Sequence, residues 1–413
     1  MDGTQAGSGG RSLGVSSGEF RAVQRDIFDG IAAPAAPAAT TETAVQPNLH
    51  YVFDDPNDGE PGRDRLVVHV LWELVLAASL VGAGFALAAA QPGAFRGDSL
   101  RTLALLAALV GLLAVASAVS LRAAVPNLAV GALGLFAAAW VAENASGSWG
   151  GATAAAVGLC AAIGLVQGLV VVGLHVPAWA ASIGAALAVL GWVTTRDGAS
   201  SVVGYDPVPD AYLWLVGVMA ASVVASVVGA AGGLRRGFGR YRPVADPARR
   251  RPRTAAIIAV AVTVASSVIA GLAGALYAAG PEVPADLSRG GLEVFVIFTA
   301  LGLGAALLGG TSAYGRRGGI FGTVLATCLV AVALQWVDAE RPDWPVYGVL
   351  AAAIGIGLAV TRLVERFGRP VLLPPDEDES WMPRVPSPAT TSTPWRTPAG
   401  GLWSSDEVWG NPR

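Results

Sequence analysis

The feature that most constrains this chain is a succession of about ten long apolar runs between Leu66 and Val364. A helix needs roughly 20 mostly apolar residues to cross the hydrocarbon core of a bilayer. Most of the runs reach or approach that length, and they consist mainly of Ala, Val, Leu and Gly with few charges. Because backbone polar groups in lipid must be satisfied within the spanning segment, the pattern predicts an all-α, polytopic bundle of transmembrane helices.

The runs divide the chain into three parts. We expect residues 1–62, rich in small residues, and residues 370–413, rich in proline, to be disordered cytoplasmic extensions. Residues 63–369 form the predicted transmembrane domain. Its ten predicted segments are 66–90, 101–121, 127–142, 152–174, 178–195, 211–233, 254–279, 291–308, 319–337 and 344–364. The third and fifth segments are short, and one of them fits a broken or partly inserted helix.

Arginines determine the predicted orientation, because cytoplasmic loops carry the excess of basic residues. The loop after the sixth segment holds eight arginines between Arg235 and Arg253. The loop after the eighth segment holds Arg316 and Arg317, whereas the intervening longer loops lean acidic. With the basic loops inside, both termini are predicted to be cytoplasmic.

The composition excludes several kinds of chemistry. All 27 basic residues are arginine, and the chain has no lysine. A phosphate-binding P-loop and a Schiff-base enzyme both depend on a lysine, so neither is possible here. Cys160 and Cys328 lie within apolar runs, as small buried side chains do, and the three histidines have no metal-ligand spacing. We therefore expect a membrane protein that is not an enzyme, holds no cofactor or metal, and leaves any ATP hydrolysis to another subunit.

Polar residues within the runs are candidates for function because they are costly in lipid. Gln167 and Thr299 are positioned to line a translocation path and to bind the hydroxyl groups of a sugar. Gln167 fits a helix–helix hydrogen bond equally well. His69 and Glu73 lie four residues apart on one helix face. We expect these two to pair structurally near the cytoplasmic interface, with a substrate or proton role as the alternative.

Two stretches of the chain, residues 164–184 and 306–323, resemble a known family. In order and spacing both are similar to the permease subunits of ATP-binding-cassette importers for monosaccharides, of the ribose and xylose type. The resemblance covers roughly residues 66–366 and leaves the two tails outside it.

The resemblance implies a set of partners and a mechanism. A cytoplasmic ATP-binding-cassette ATPase drives alternating access at an interface with a second permease subunit. An extracytoplasmic solute-binding protein delivers the solute. The protein is expected in the lipid of a bacterial plasma (inner) membrane, in keeping with an Ala-, Gly- and Arg-rich composition. Nucleic acid is not an expected partner.

The glycine-rich part of the second stretch is the most specific piece of the resemblance, and it favours a sugar over a branched-chain amino acid. The residues that carry it are Gly309, Gly310, Thr311, Ser312, Gly315 and Gly319. Glycine permits positive φ and close backbone approach. We therefore expect a tight, basic turn that shapes the bundle where it meets a cytoplasmic partner. A plain tight turn explains the same residues.

The basic loop after the sixth segment is where the resemblance implies contact with the ATPase. Asp246 followed by Pro247 is typical of a helix N-terminus, and a one-turn helix over residues 248–251 fits there. The predicted coupling residues are Arg240, Asp246, Pro247, Arg249 and Arg250. This loop is shorter and more basic than the family pattern, and a loop that contacts anionic lipid is the alternative.

A second departure from the family pattern lies at residues 125–131. The family commonly has an acidic residue where Asn127 stands and a serine where Ala129 stands. The resemblance implies that Asn127 lies in the pore-lining region at the start of the third segment, and the change is consistent with a divergent or weakly active transporter. Two rivals stay open: a proton-coupled secondary transporter, which needs buried acids near the midplane, and a membrane scaffold that transports nothing.

Overall fold

The computed structural model describes residues 66–196, 204–230, 253–280, 291–315, 318, 321–340 and 346–367. Within these residues the chain forms ten helices and no strand. In chain order they are α1 (Leu66–Ala90), α2 (Gly97–Arg122), α3 (Val130–Asn144), α4 (Trp149–Gly173), α5 (Ala178–Thr194), α6 (Ala211–Ala230), α7 (Arg253–Ala279), α8 (Gly291–Leu308), α9 (Gly322–Glu340) and α10 (Tyr347–Phe367). The predicted all-α bundle is confirmed. The predicted tails, 1–62 and 370–413, lie outside the described residues.

Each of the ten predicted segments contains a helix, but three helices begin later than predicted. α3 begins at Val130 rather than at residue 127, α9 at Gly322 rather than at residue 319, and α10 at Tyr347 rather than at residue 344. The start of α3 is late because the Asn127 side chain accepts the Ala129 backbone N–H at 3.1 Å, which holds these residues in a turn.

Eight of the helices are long and apolar enough to cross a membrane, and the chain is a multi-pass membrane protein. The two shorter helices, α3 and α5, have 15 and 17 residues. α3 is enclosed by its neighbours, with every residue from Val130 to Ala139 buried. Because α3 is enclosed by protein, its length does not have to match the thickness of the hydrocarbon core.

The helices α2 and α3 form the centre of the bundle. In the apolar stretch of α2, 78% of the residues are buried, against 11% in α1. α7 packs against α2, α3 and α4, α8 packs against α2 and α10, and α9 packs against α1 and α2. Large side chains of α1 such as Phe85, which is 73% exposed, therefore point away from the bundle.

Aromatic side chains gather at the end of the bundle where α4 and α6 begin. Trp149 stacks on Tyr205 with ring centroids 4.3 Å apart, and the Trp214 indole N–H donates to the Tyr205 hydroxyl at 3.1 Å. Tyr205 in turn donates to the Asp210 carboxylate at 3.1 Å. Partial burial raises the pKa of Tyr205, and the carboxylates of Asp210 and Asp206 raise it further. The hydroxyl therefore stays protonated at neutral pH and ties the two helix ends together.

The helices α3 and α7 approach so closely that only glycine fits at their contact. A Cβ atom added to Gly274 of α7 would collide with the Gly134 carbonyl of α3 and would lie 3.0 Å from the Ala137 Cβ. Small residues permit this close backbone approach, which is a main source of helix association in lipid.

We expect the substitution Gly274→Ala to destabilise the protein by about 1–3 kcal/mol, because the added methyl group overpacks the α3–α7 contact. The matched control is Gly184→Ala on the exposed face of α5, where an added Cβ meets nothing within 4 Å. The control should be neutral or stabilising by up to about 1 kcal/mol, since Ala is the better helix former. Thermal unfolding in detergent, followed by tryptophan fluorescence, measures both, and equal midpoints would contradict the prediction.

Candidate functional site

The chain leaves helical geometry between α2 and α3, over residues 123–129, which we call the α2–α3 break. Ala124 has a φ of 58°, in the left-handed region. The break is enclosed in the bundle, with Ala124 8% and Val125 1% exposed. Non-helical backbone at membrane depth is tolerated only where protein or a cavity surrounds it and its polar groups find partners. The first partners lie in α2, since Ala124 donates to the Leu121 carbonyl at 2.8 Å and Val125 to the Ser120 carbonyl at 3.0 Å.

The Asn127 side chain supplies one further backbone partner and also binds side chains of two other helices. Its Nδ2 donates to the Ser266 hydroxyl of α7 at 3.1 Å and to that of Ser267 at 3.5 Å. Its Oδ1 accepts from the Ala129 backbone N–H at 3.1 Å and from the Gln167 Nε2 of α4 at 3.2 Å. One side chain therefore links α4, α7 and the start of α3.

Ser120 completes the group from α2, because its hydroxyl accepts the Asn127 backbone N–H at 3.3 Å and donates to the Ser117 carbonyl at 2.8 Å. We call Ser120, Asn127, Gln167, Ser266 and Ser267 the Asn127 cluster. Every member is at most 4% exposed.

The Asn127 cluster is neutral, since its members are amides and hydroxyls. Gln167 Oε1 is buried and accepts no hydrogen bond from the part of the chain that the structure describes. A buried acceptor without a partner is costly, and a water molecule or a hydroxyl of a solute satisfies it. The cluster is therefore a set of amides and hydroxyls with one buried acceptor that the described residues leave unpaired.

The third predicted pore-lining residue, Thr299 of α8, lies one helical turn from this group. An added Cβ at Gly131, in the first turn of α3, would collide with the Thr299 hydroxyl and the Phe295 carbonyl. The Thr299 hydroxyl oxygen is also buried without a partner among the described residues. The structure thus brings Asn127, Gln167 and Thr299 together around the start of α3, and their pore-lining role stays a prediction.

Four residues of the site were not predicted. One is Ser120 of α2, whose hydroxyl accepts the Asn127 backbone N–H. Ser266 and Ser267 form a polar pair inside an apolar run, which is the one signal in the sequence that marks them. Their significance is hard to read from sequence because helical serines often bond their own backbone, as Ser267 does to the Thr263 carbonyl at 2.8 Å. The fourth is Arg122, 8% exposed at the end of α2, whose Nη2 donates to the Ser226 hydroxyl of α6 at 3.0 Å.

The predicted glycine-rich turn forms the α8–α9 loop, residues 309–321. Gly310 has a φ of 83°, Gly310 N–H donates to the Leu307 carbonyl at 2.9 Å, and Thr311 N–H donates to the Ala306 carbonyl at 3.1 Å. This pair of bonds is the Schellman motif, which needs a residue in the left-handed region and therefore favours Gly310.

The remaining predicted residues of this loop differ in how far the structure describes them. Thr311 and Ser312 are fully buried. Gly315, with a φ of 85°, approaches the α2–α3 break, because an added Cβ would lie 3.0 Å from the Ala124 Cβ. Gly319 and the two arginines at 316 and 317 lie outside the described residues.

The predicted coupling loop lies outside the described residues altogether. This concerns Arg240, Asp246, Pro247, Arg249 and Arg250. Their role as contacts of an ATPase stays a prediction.

No family model matches this chain, and no curated protein and no solved structure matches it either. The family resemblance therefore stays an expectation, and function has to be argued from the site itself.

We expect Asn127→Ala to destabilise the protein by about 1–3 kcal/mol, because it leaves the Gln167 amide and the Ala129 N–H buried without their partner. The matched control is Asn144→Ala, since exposed Asn144 bonds only the Trp140 carbonyl of its own helix, at 2.8 Å. The control should change stability by less than about 0.5 kcal/mol. Unfolding midpoints in detergent measure both variants, and a tolerated Asn127→Ala would show that the cluster does not hold the break.

Proposed function

We propose that this protein is the permease subunit of an ATP-binding-cassette importer for a monosaccharide such as xylose or ribose, in a bacterial plasma membrane. A separate cytoplasmic ATPase supplies the energy, and the solute moves by alternating access between this chain and a second permease subunit. An extracytoplasmic binding protein delivers the solute.

The observation that carries the proposal is the convergence of three sequence stretches at the α2–α3 break. Residues 164–184 supply Gln167, residues 125–131 supply Asn127, and the two side chains are hydrogen-bonded at 3.2 Å. Residues 306–323 meet the same break through Gly315 and Ala124. The resemblance to the importer permeases concerns these three stretches. Their spacing along the chain does not require them to be in contact.

The neutrality of the Asn127 cluster supports a sugar rather than an amino acid. A zwitterionic solute brings an ammonium and a carboxylate, and each needs an opposite charge or several oriented dipoles when it leaves water. Amides and hydroxyls instead match the donor and acceptor pattern of sugar hydroxyl groups. Thr299, beside the start of α3, adds one more hydroxyl of the same kind.

The α2–α3 break also fits a transporter. It is non-helical backbone enclosed by the bundle, a feature that flanks the solute sites of many transporters. The absence of lysine supports a separate ATPase, because the chain has no residue for a P-loop.

Purification of the tagged protein from native membranes in mild detergent, with mass spectrometry of what accompanies it, tests the proposal. We expect a cassette ATPase and a solute-binding protein to be recovered. Recovery of neither from abundant, stable protein would overturn the energy-coupling claim. Uptake that survives ATP depletion and is abolished by a protonophore would instead favour the proton-coupled carrier, and binding of cytoplasmic proteins without solute flux would favour the scaffold.

A pair of variants in the basic loop tests the coupling residues. Arg249→Ala combined with Arg250→Ala should lower recovery of the ATPase severalfold, because it removes the predicted contact. The matched control is Arg235→Ala combined with Arg236→Ala, which removes the same charge from the same loop. An equal loss in both pairs would indicate general electrostatic attraction rather than a coupling site, and quantitative mass spectrometry separates the two results.

A further inference from the structure

Two adjacent side chains of α1 hold both ends of the α8–α9 loop. The Trp72 indole N–H donates to the Leu308 carbonyl, the last residue of α8, at 2.7 Å. The Glu73 Oε1 accepts the backbone N–H groups of Phe321 at 2.9 Å and Gly322 at 3.1 Å, where α9 begins. These contacts join residues more than 230 positions apart in the chain.

The chemistry of each contact suits the helix end that it serves. The last carbonyls of a helix lack donors and carry partial negative charge, so an indole N–H is a fitting partner for Leu308. The first N–H groups of a helix lack acceptors and carry partial positive charge, so a carboxylate stabilises the start of α9. Glu73 lies seven residues into α1, about 10 Å along the helix. A carboxylate at that depth needs such partners.

The two helix ends also touch each other directly. An added Cβ at Gly309 would lie 2.7 Å from the Thr323 backbone nitrogen, and one at Gly322 would collide with the Gly309 carbonyl. The contact leaves no room for the ends of α8 and α9 to slide past one another. Whatever moves the start of α9 therefore also moves the beginning of the loop at Gly309.

The α8–α9 loop in turn packs against the α2–α3 break. An added Cβ at Gly315 would lie 3.1 Å from the Arg122 carbonyl oxygen, and one at Gly318 would lie 2.7 Å from the Arg122 Nη2. Arg122 and Ala124 stand a few residues before Asn127. A series of contacts therefore runs from α1, through residues 309–315, to the α2–α3 break that carries Asn127.

The helix at the start of this series is the one that the bundle holds least. Of the eight long helices, α1 has the smallest buried share, 11%. It packs mainly on α9. Trp72 and Glu73 thus make a pair of directed bonds from a peripheral helix to an interior loop.

We propose that Trp72 and Glu73 are positioning residues that make the α8–α9 loop follow α1, so that a displacement of α1 changes the geometry of the Asn127 cluster. The role in transport rests on the proposed function, whereas the mechanical link does not. Glu73 touches no part of the cluster itself and acts on it through the loop.

Hydrogen–deuterium exchange of the full chain in lipid nanodiscs tests the link. Glu73→Ala should speed exchange roughly tenfold in two places, the amides at 321–322 and the distant amides of the α2–α3 break at 123–129. Glu73→Gln keeps an oxygen acceptor and should restore most of the protection. The matched control is Glu143→Ala, at the end of α3 far from the break. The Glu143 carboxylate lies 3.7 Å from Arg196, and the change should leave the exchange rates in both places unaltered.

Exchange that rises at 321–322 but not at 123–129 would overturn the proposal, because Glu73 would then cap α9 and do nothing more. If Glu73→Ala does not fold, Trp72→Phe keeps a ring and removes only the donor to Leu308. The same two places should then exchange faster, by a smaller factor, and protection at 123–129 equal to that of the unaltered chain would again overturn it.

Uptake by the assembled importer separates this proposal from the proposed function. Glu73→Ala should lower the maximal rate and leave KM for the solute unchanged, since the proposed role of Glu73 is to position the loop, and Glu73→Gln should restore most of the rate. A raised KM at an unchanged maximal rate would contradict a positioning role. The exchange pattern can also appear in a chain that transports no solute. In that case the proposed importer function is wrong, whereas the link between α1 and the break is supported.

Discussion

The structure depends on one constraint, that every backbone N–H and C=O in the membrane needs a partner. Helices meet it without help, and the places where this chain stops being helical are the places where polar side chains gather. At the α2–α3 break the partners are the side chains of Ser120 and Asn127. At the α8–α9 loop they are the Schellman bonds together with Trp72 and Glu73. The position of most buried polar groups follows from where the backbone is interrupted.

The two interruptions use different chemistry because they lie at different depths in the bundle. The Asn127 cluster is at the centre and at most 4% exposed, and its members are neutral. A carboxylate there would lose its hydration without an opposite charge to replace it. Glu73 belongs to the peripheral helix α1 and is half-buried, where two backbone N–H groups suffice to stabilise its charge.

The sequence predicted the helices well because run length and composition determine them locally. It placed the starts of α3, α9 and α10 three residues too early, since the apolar runs extend beyond the ends of the helices. It identified Asn127, Gln167 and Thr299 as candidate pore-lining residues, and the three lie together around the start of α3. The partners Ser266 and Ser267, and the capping of α9 by Glu73, depend on contacts between distant parts of the chain, and no local pattern encodes them.

Every multi-pass bundle needs connections between its helices, and the α2–α3 break is a connection that lies buried within the bundle. Its polar groups therefore need partners inside the protein. Ala124 adopts a left-handed conformation, which costs an L-residue roughly 1–2 kcal/mol, in the same pattern of bonds that ends α8 at Gly310. The strained residue lies where α2, the start of α3 and the α8–α9 loop meet, since an added Cβ at Gly315 would lie 3.0 Å from the Ala124 Cβ. The packing of that loop against the break is what holds Ala124 in this conformation.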